Sequence, residues 1–307
     1  MKQRLSFKSG RDGVLPGGLL PHEVCFGLFL VVTWVRLVAV TGFLSGSSLL
    51  YLVFLMLNCA AIGLRARSDS PKTLRIAFLF YPVAMNVLFP NMRQAIPAIN
   101  WGRMDAALQS IDSALVGTNL SLRLQPLAHP WLTELFSFCY FLFFPYLLFS
   151  LIYYFCSDLA VLRKFIIGLF TVYGLGFLGY SLVPASGPYL AMADQFSVPL
   201  TGYWFTHWNA AVVAQGSNGV DVFPSLHCAV SAFFLFFDRR HRPWRFRLYV
   251  VPCVGLWIST IYLRYHYLID LICGFTLAAL ALYLARRGDP PASEPARTTA
   301  TEAQTKT

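Results

Sequence analysis

Long apolar runs separated by short basic clusters are the feature of this sequence that most limits its fold. A transmembrane helix needs about 20 mostly apolar residues. The runs that approach this length are 23–44, 48–64, 74–90, 131–155, 165–185, 224–238, 247–263 and 266–285. The sixth run, 224–238, is the shortest. The sequence therefore predicts an all-α fold, a polytopic transmembrane helix bundle of about eight spans.

Composition excludes the soluble classes of protein. Apolar residues make up 57% of the 307 residues and charged residues only 12%, whereas about 25% of a typical soluble domain is charged. So few charges cannot cover so much apolar surface in water, which excludes a cytosolic enzyme, a secreted disulfide scaffold and a disordered chain. The seven cysteines show no CxxC or zinc spacing, which argues against a disulfide framework.

The net charge of +10 indicates membrane orientation rather than binding to nucleic acid, because the basic residues cluster between the apolar runs. With a cytoplasmic N-terminus and eight spans, most Lys and Arg fall on the cytoplasmic side. The opposite side receives only Arg93, Arg103, Arg123 and Arg264. This asymmetry predicts that both termini are cytoplasmic.

The predicted domain organisation has three parts. Residues 1–22 form a cytoplasmic N-terminal segment, 23–285 form the membrane domain, and the polar, Pro- and Thr-rich residues 286–307 form a disordered cytoplasmic tail. In the membrane domain, the polar segment 91–130 is expected to form short interfacial or re-entrant helices. The outer segment 186–223 contains no Lys or Arg, and its length suggests a function.

Side chains suited to catalysis are concentrated at the outer ends of two spans, in the motifs 222–229 and 259–270. His227 follows a proline that can open a helix at its first turn. His266 lies four residues before Asp270, so the two share one helical face. One span leads away from His227 and the next returns to His266, which brings both histidines to the same membrane face.

This set of residues suits phosphoryl transfer. A neutral imidazole can attack phosphorus when a carboxylate orients it and stabilises the cation that forms, and Asp270 is placed to do this for His266. His227 suits the task of protonating the departing oxygen and later activating the acceptor. Ser225, the helix N-terminus that follows it, and Arg264 are expected to bind the phosphate oxygens.

Other interpretations of the same residues stay open at this point. His227, His266 and Asp270 have ligand types that suit a metal ion, although no further His/Cys cluster accompanies them, so neither a metal nor another cofactor is predicted. Ser225 with a histidine base would be a serine nucleophile, but a Gly-x-Ser-x-Gly elbow is absent. The histidines could also be structural, although an ionisable pair within a span marks function by default.

The two motifs resemble those of a known family. Pro224-Ser-Leu-His227 and His266-x-x-x-Asp270 are similar to the second and third signature motifs of the type-2 phosphatidic acid phosphatase superfamily. Phe-Pro-Ser-Leu-His together with His-Tyr-x-x-Asp-Leu resembles its inositol-phosphoceramide synthase (aureobasidin-resistance) branch, as do the stretches 103–117 and 184–188.

The resemblance implies a six-helix lipid-phosphatase-like core and assigns roles to three residues. In that superfamily the later histidine is the nucleophile, its Asp partner orients it, and the earlier histidine is the acid/base. Carried over, these are His266, Asp270 and His227.

Two departures from the superfamily pattern concern phosphate binding. The third motif usually has an arginine where Thr260 stands, and the first motif, a Lys followed by Arg-Pro, has no match on the outer face. Arg264, or one of the outer arginines Arg93, Arg103 and Arg123, is expected to take over this role.

The sequence therefore predicts an integral-membrane lipid phosphatase or phosphotransferase that acts through a phosphohistidine at the periplasmic or lumenal face. The expected location is a bacterial inner membrane with the active site facing the periplasm, and the expected partners are the bilayer and a phospholipid or lipid-phosphate substrate, with no nucleic acid.

The sequence does not distinguish between two reactions: transfer of a head group to a lipid hydroxyl, and hydrolysis of phosphatidic acid or a polyprenyl diphosphate. It does not give the oligomeric state either. A lipid transporter is the alternative from another class, but it would have broken helices with polar groups near mid-membrane.

Overall fold

The computed structural model describes Leu15 and residues 18–68, 70–100 and 102–287. In these residues the fold is an all-α bundle without strands, in which one isolated bridge pairs Ala185 with Asp221. Most of the predicted N-terminal segment and of the predicted tail lies outside the described residues.

The helices that position the site are named in chain order. They are α1 (Pro21–Thr41), α2 (Gly46–Arg67), α3 (Pro71–Ala98), α4 (Asp105–Val116), α5 (Leu120–Leu124), α6 (Pro130–Phe141), α7 (Phe143–Phe155), α8 (Leu159–Leu182), α9 (Pro188–Ala191), α10 (Trp204–Gly216), α11 (Leu226–His241), α12 (Pro243–Tyr262) and α13 (Leu268–Arg286).

Six helical segments in the described part of the chain are long and apolar enough to cross a membrane. They are α1, α2, α3, α6 together with α7, α8 and α13. The chain is therefore a membrane-type helix bundle. The other two predicted spans also form helices, but α11 has only 16 residues, and Arg245 and Arg247 lie near the start of α12. By length and composition, six of the expected eight spans qualify.

The predicted span 131–155 is interrupted at Leu142, where α6 ends and α7 begins. Pro145 explains the interruption, because it has no N–H for the carbonyl of Phe141 and its ring crowds that carbonyl. Phe143, the first residue of α7, packs against the ring of His227 with centroids 4.5 Å apart.

The bundle is built around α8, the most buried of the spanning helices, which packs against α1, α3, α7, α11 and α13. Glycine makes the close contact between α8 and α1 possible. A Cβ on Gly174 would lie 2.7 Å from the backbone nitrogen of Phe26 on α1. Such close backbone approach at small residues is a common way for helices to associate in membranes.

Arg36 lies within α1 and connects it to the ends of α3 and α8. Its guanidinium donates hydrogen bonds to the carbonyl oxygen of Ser181 (2.7 Å), that of Ile99 (3.1 Å) and the side-chain oxygen of Asn100 (2.8 Å). The last carbonyls of a helix have no partner within the helix. The partly buried charge thus satisfies the ends of two helices and holds α1 and α3 against α8.

A buried ion pair fixes the C-terminal end of α11, which is the end away from His227. Arg245 Nε lies 2.9 Å from Asp238 Oδ2, and both side chains are fully buried. Tyr146 donates a hydrogen bond of 2.8 Å to the same carboxylate, and Tyr154 also donates to it. Because a buried charge is costly unless it is fully paired, this cluster holds α7, α11 and α12 in one arrangement.

Candidate active site

The start of α13, which contains the last residues of the motif 259–270, is held by the outer helix α4. Asp112 on α4 accepts hydrogen bonds from the backbone N–H groups of Leu268 (2.8 Å) and Ile269 (3.0 Å). These are among the first N–H groups of α13, which have no partner within the helix. The carboxylate therefore acts as a helix cap from outside the helix and fixes the position of the neighbouring residue Asp270.

A second carboxylate of α4 holds the loop after α8. Asp105 accepts hydrogen bonds from the backbone N–H groups of Ser186 (3.0 Å) and Gly187 (2.9 Å) and from the hydroxyl of Tyr267 (3.1 Å). The segment 184–188 and the residue that follows His266 are thereby tied to the same short helix.

His266 and Asp270 lie together, as their spacing in the motif 259–270 predicts. His266 Nδ1 is 3.4 Å from Asp270 Oδ2, and that oxygen also accepts the backbone N–H of Tyr267 at 2.8 Å. His266 is 3% exposed and Asp270 is fully buried. His266 precedes α13 instead of lying within it, since α13 begins at Leu268. With Nδ1 facing the carboxylate, Nε2 is the nitrogen left for a substrate.

His227 lies in the first turn of α11 and faces the same space. Its Nδ1 is 3.4 Å from the hydroxyl of Tyr140, and its ring packs between Tyr140 and Phe143, each with a centroid distance of 4.5 Å. Its Nε2 has no hydrogen-bond partner. The ring centroids of His227 and His266 are 6.0 Å apart. A single phosphoryl group between the rings would be within reach of both.

A cavity of about 370 Å³, here called the histidine chamber, opens beside these two rings. Its walls include His227, His266, Tyr140, Tyr189, Asp221 and Tyr265, together with residues of α3 and α10.

A second cavity, of about 240 Å³ and here called the apolar cavity, lies between α3, α7 and α8. The two cavities share Asn86, Phe89, Phe144, Asp221 and His227. A polar space and an apolar space therefore meet at His227, as an amphiphilic ligand would require.

Two of the predicted phosphate ligands do not line the histidine chamber. Ser225 is fully buried, and its hydroxyl accepts a hydrogen bond from the backbone N–H of Cys228 at 3.4 Å, as the N-cap of α11. The guanidinium of Arg264 donates to the carbonyl oxygen of Val198 at 2.6 Å and lies 4.0 Å from the ring centre of Phe196. Both side chains have other partners and lie outside the chamber walls.

The other two predicted phosphate ligands are exposed. A Cβ on Gly219 would lie 3.7 Å from the guanidinium of Arg103, so Arg103 lies against the loop that borders the chamber. Arg93 is also exposed, and it donates to the carbonyl oxygen of Ser217 in that loop at 2.6 Å. Arg123 lies instead beside Gly117, at the end of α4. Among the described residues, no Lys or Arg lines either cavity.

Sequence reasoning missed Asp221, which lines both cavities. Its carboxylate accepts a hydrogen bond of 2.6 Å from the hydroxyl of Ser217. Burial raises the pKa of Asp221, and the hydrogen bond from Ser217 and the attraction of His266 partly oppose that shift. Two features of the sequence could have indicated Asp221: it lies directly before the motif 222–229, and the outer segment that contains it lacks basic residues. Nothing in the sequence indicated that α3 lines the chamber.

Three or more His, Cys, Asp or Glu side chains are nowhere grouped to hold a metal ion in the described part of the chain.

The fold and the chamber together define a class: multi-pass membrane proteins with paired histidines at one end of a helix bundle. A family model described as the PAP2 superfamily matches residues 106–284, and the chain belongs to the PAP2 superfamily. This membership supports a phosphatase-type enzyme that acts on lipids. No curated protein and no solved structure matches the chain.

The matched segment begins after α3. Met85, Asn86 and Phe89 of α3 nevertheless line the apolar cavity, so a helix outside the family-matched residues completes the walls of the candidate site.

Proposed function

We propose that this protein is an integral-membrane lipid phosphatase or phosphotransferase in which His266 is the nucleophile, Asp270 orients it and His227 is the acid/base. The observation that carries the proposal is the pair of imidazole rings, 6.0 Å apart on one cavity. One ring has a carboxylate partner on Nδ1 and the other has an unpartnered Nε2.

The proposed reaction has two steps. In the first, His266 Nε2 attacks phosphorus, the N–P bond forms as the P–O bond to the leaving group breaks, and His227 gives a proton to the departing oxygen. Asp270 stabilises the positive charge that develops on His266. In the second step, His227 takes a proton from the acceptor hydroxyl, which attacks phosphorus and releases His266.

The lipid would lie with its phosphate in the histidine chamber, the first part of its tails in the apolar cavity and the remainder of the tails between the helices. The basic residues after Asp238 lie at the other end of α11 from His227, and basic residues favour the cytoplasmic side. This distribution supports a chamber on the non-cytoplasmic side, which we propose to be the periplasmic face of a bacterial inner membrane.

Transfer to a lipid hydroxyl, which is the type of reaction that inositol-phosphoceramide synthase carries out, is favoured over hydrolysis by one observation, whatever the donor head group. No Lys or Arg lines the chamber among the described residues, and a phosphomonoester such as phosphatidic acid carries more negative charge than a phosphodiester. A diester donor and a hydroxyl acceptor suit such a site better. A plain phosphatidic acid or polyprenyl-diphosphate phosphatase is the second candidate.

The test is incubation of the purified protein with labelled phospholipids and phosphatidic acid, with and without ceramide or diacylglycerol, followed by separation of the products. A transferase yields a new head-group lipid only with the acceptor, a phosphatase releases inorganic phosphate, and a lipid transporter yields neither product.

His266→Ala is expected to abolish turnover and the alkali-stable protein-bound phosphate that a phosphohistidine would give. His207→Ala, on the exposed helix α10 and outside the chamber walls, is the matched control and keeps both signals. Turnover at the wild-type rate in folded His266→Ala protein would refute the proposal.

A further inference from the structure

Asp221 is a carboxylate in the histidine chamber that the proposed reaction does not use. It lies in the loop between α10 and α11, where a backbone bridge pairs it with Ala185 and the hydroxyl of Ser217 donates to it at 2.6 Å. Because it lines both cavities together with His227, it would face any lipid whose phosphate lies between the two histidines.

The nearest basic residues, Arg93, Arg103 and Arg264, lie outside the chamber walls, although Arg93 and Arg103 are close enough to act electrostatically on Tyr189. Arg93 donates to the backbone carbonyl of Ser217 and Arg264 to that of Val198, Arg103 is exposed, and no Lys or Arg among the described residues lines the chamber. A phosphate bound at His266 would therefore bring its negative charge close to the Asp221 carboxylate. Like charges at short range repel, more strongly in a partly buried site than in water.

Aromatic rings form the wall around this carboxylate. Tyr140 and Tyr265 have ring centroids 4.9 Å apart, Tyr189 meets Tyr265 edge-on at 5.4 Å, and all three line the chamber. The face of an aromatic ring attracts organic cations, and several rings with a nearby carboxylate are a common arrangement for binding an ammonium group.

We propose that Asp221 and the rings of Tyr140, Tyr189 and Tyr265 form a subsite for the cationic head group of a zwitterionic phospholipid, an ammonium or trimethylammonium group joined to the phosphate. This inference rests on the proposed function, because it needs the phosphate at His266. The cation compensates the Asp221 charge beside the phosphate. A neutral polyol head group leaves that charge uncompensated, and phosphatidic acid adds a further negative charge.

The experiment compares four donors with identical acyl chains on the detergent-solubilised full chain: phosphatidylcholine, phosphatidylethanolamine, phosphatidylglycerol and phosphatidic acid. We expect kcat/KM for the two zwitterionic donors to exceed that for the other two by roughly tenfold or more. Asp221→Asn should bring kcat/KM for the zwitterionic donors and for phosphatidylglycerol to within about twofold of each other. Asp194→Asn is the matched control, because Asp194 is an exposed carboxylate of the same outer segment that lines neither cavity.

A second measurement does not depend on turnover. Phosphocholine binding is titrated by tyrosine and tryptophan fluorescence in His266→Ala protein, with and without Asp221→Asn, and the second substitution should weaken it roughly tenfold. Asp221-dependent binding without turnover of any donor would refute the proposed function but support the subsite. Equal or better use of phosphatidylglycerol or phosphatidic acid by the wild type, or binding that ignores Asp221→Asn, would overturn the subsite.

Discussion

The contact between Gly274 and the start of α11 gives the sharpest test of how the two histidines are held together. Gly274 lies on α13, one helical turn after Asp270. A Cβ at this position would lie 2.6 Å from the backbone carbonyl oxygen of Ser225. That carbonyl accepts the N–H of Ala229 in the first turn of α11, the turn that carries His227, so neither side of the contact is a flexible side-chain end.

The structure sets the size of the displacement in Gly274→Ala. Ordinary van der Waals contact begins at 3.4 Å, so the start of α11 must move by about 0.8 Å relative to α13. This separates His227 from His266 by a similar distance. Misplacement of a catalytic group by about 1 Å can cost on the order of 100-fold in rate, whereas overpacking costs about 1–3 kcal/mol of stability.

We therefore expect Gly274→Ala to lose roughly 100-fold in kcat while the protein remains folded in detergent. The assay is initial-rate turnover of the best donor, with size-exclusion elution and thermal unfolding recorded on the same sample. Gly63→Ala on α2 is the control, since a Cβ there meets nothing within 4 Å, and it should match the wild type in both measurements. Wild-type turnover in Gly274→Ala would show that the contact between α11 and α13 does not set the histidine geometry.

Two further predictions concern the outer carboxylates. Asp112→Ala removes the acceptor for two backbone N–H groups at the start of α13 and should destabilise the protein by about 2–4 kcal/mol. Asp112→Asn should recover part of that loss, as measured by thermal unfolding at a fixed scan rate, and equal stability of both variants and the exposed control Ser110→Ala would contradict the capping role. Because burial raises the pKa of Asp221 against the opposing effects of Ser217 and His266, Asp221 takes up its proton above the ordinary aspartate range near 3.9. The preference for zwitterionic donors should therefore fall with decreasing pH before that range is reached, and a preference that stays constant down to about pH 4 would refute this expectation.

The juxtaposition of the two histidines could be predicted because it depends on order along the chain. His227 opens one helix, a basic turn follows, and the returning helix leads to His266, so any hairpin of two helices brings them to the same end. The pairing of His266 with Asp270 is equally local, since only three residues separate them at the start of α13. Local features of this kind can be predicted without knowing how distant helices pack.

The directions of the phosphate-binding candidates could not be predicted in the same way. Ser225 is the N-cap of α11, and a hydroxyl that caps a helix has a local partner that competes with any ligand. Arg264 lies within the motif 259–270, two residues before His266, but its backbone has a positive φ of 68° and its side chain lies on Phe196 instead of in the chamber. Nearness in sequence does not give the direction of a side chain in a loop.

The contribution of α3 to the site depended on tertiary packing. Phe89 lines both cavities because α3 lies against α8, and that arrangement depends on Arg36 satisfying the ends of both helices. No motif marks it. Tertiary packing also bears on the two short predicted spans, because the buried ion pair of Asp238 on α11 and Arg245 on α12 holds these helices, so they need less apolar length of their own.

The shortness of α11 also affects the bilayer around it. Its 16 residues extend about 24 Å, against a hydrocarbon thickness of about 30 Å. With its arginine-rich end at one interface, its other end lies about 6 Å beneath the opposite one. A lipid phosphate that reaches His227 must sink below its neighbours, or the membrane must become locally thinner there. Bilayer thickness should therefore affect how readily a lipid enters, independently of its chemistry.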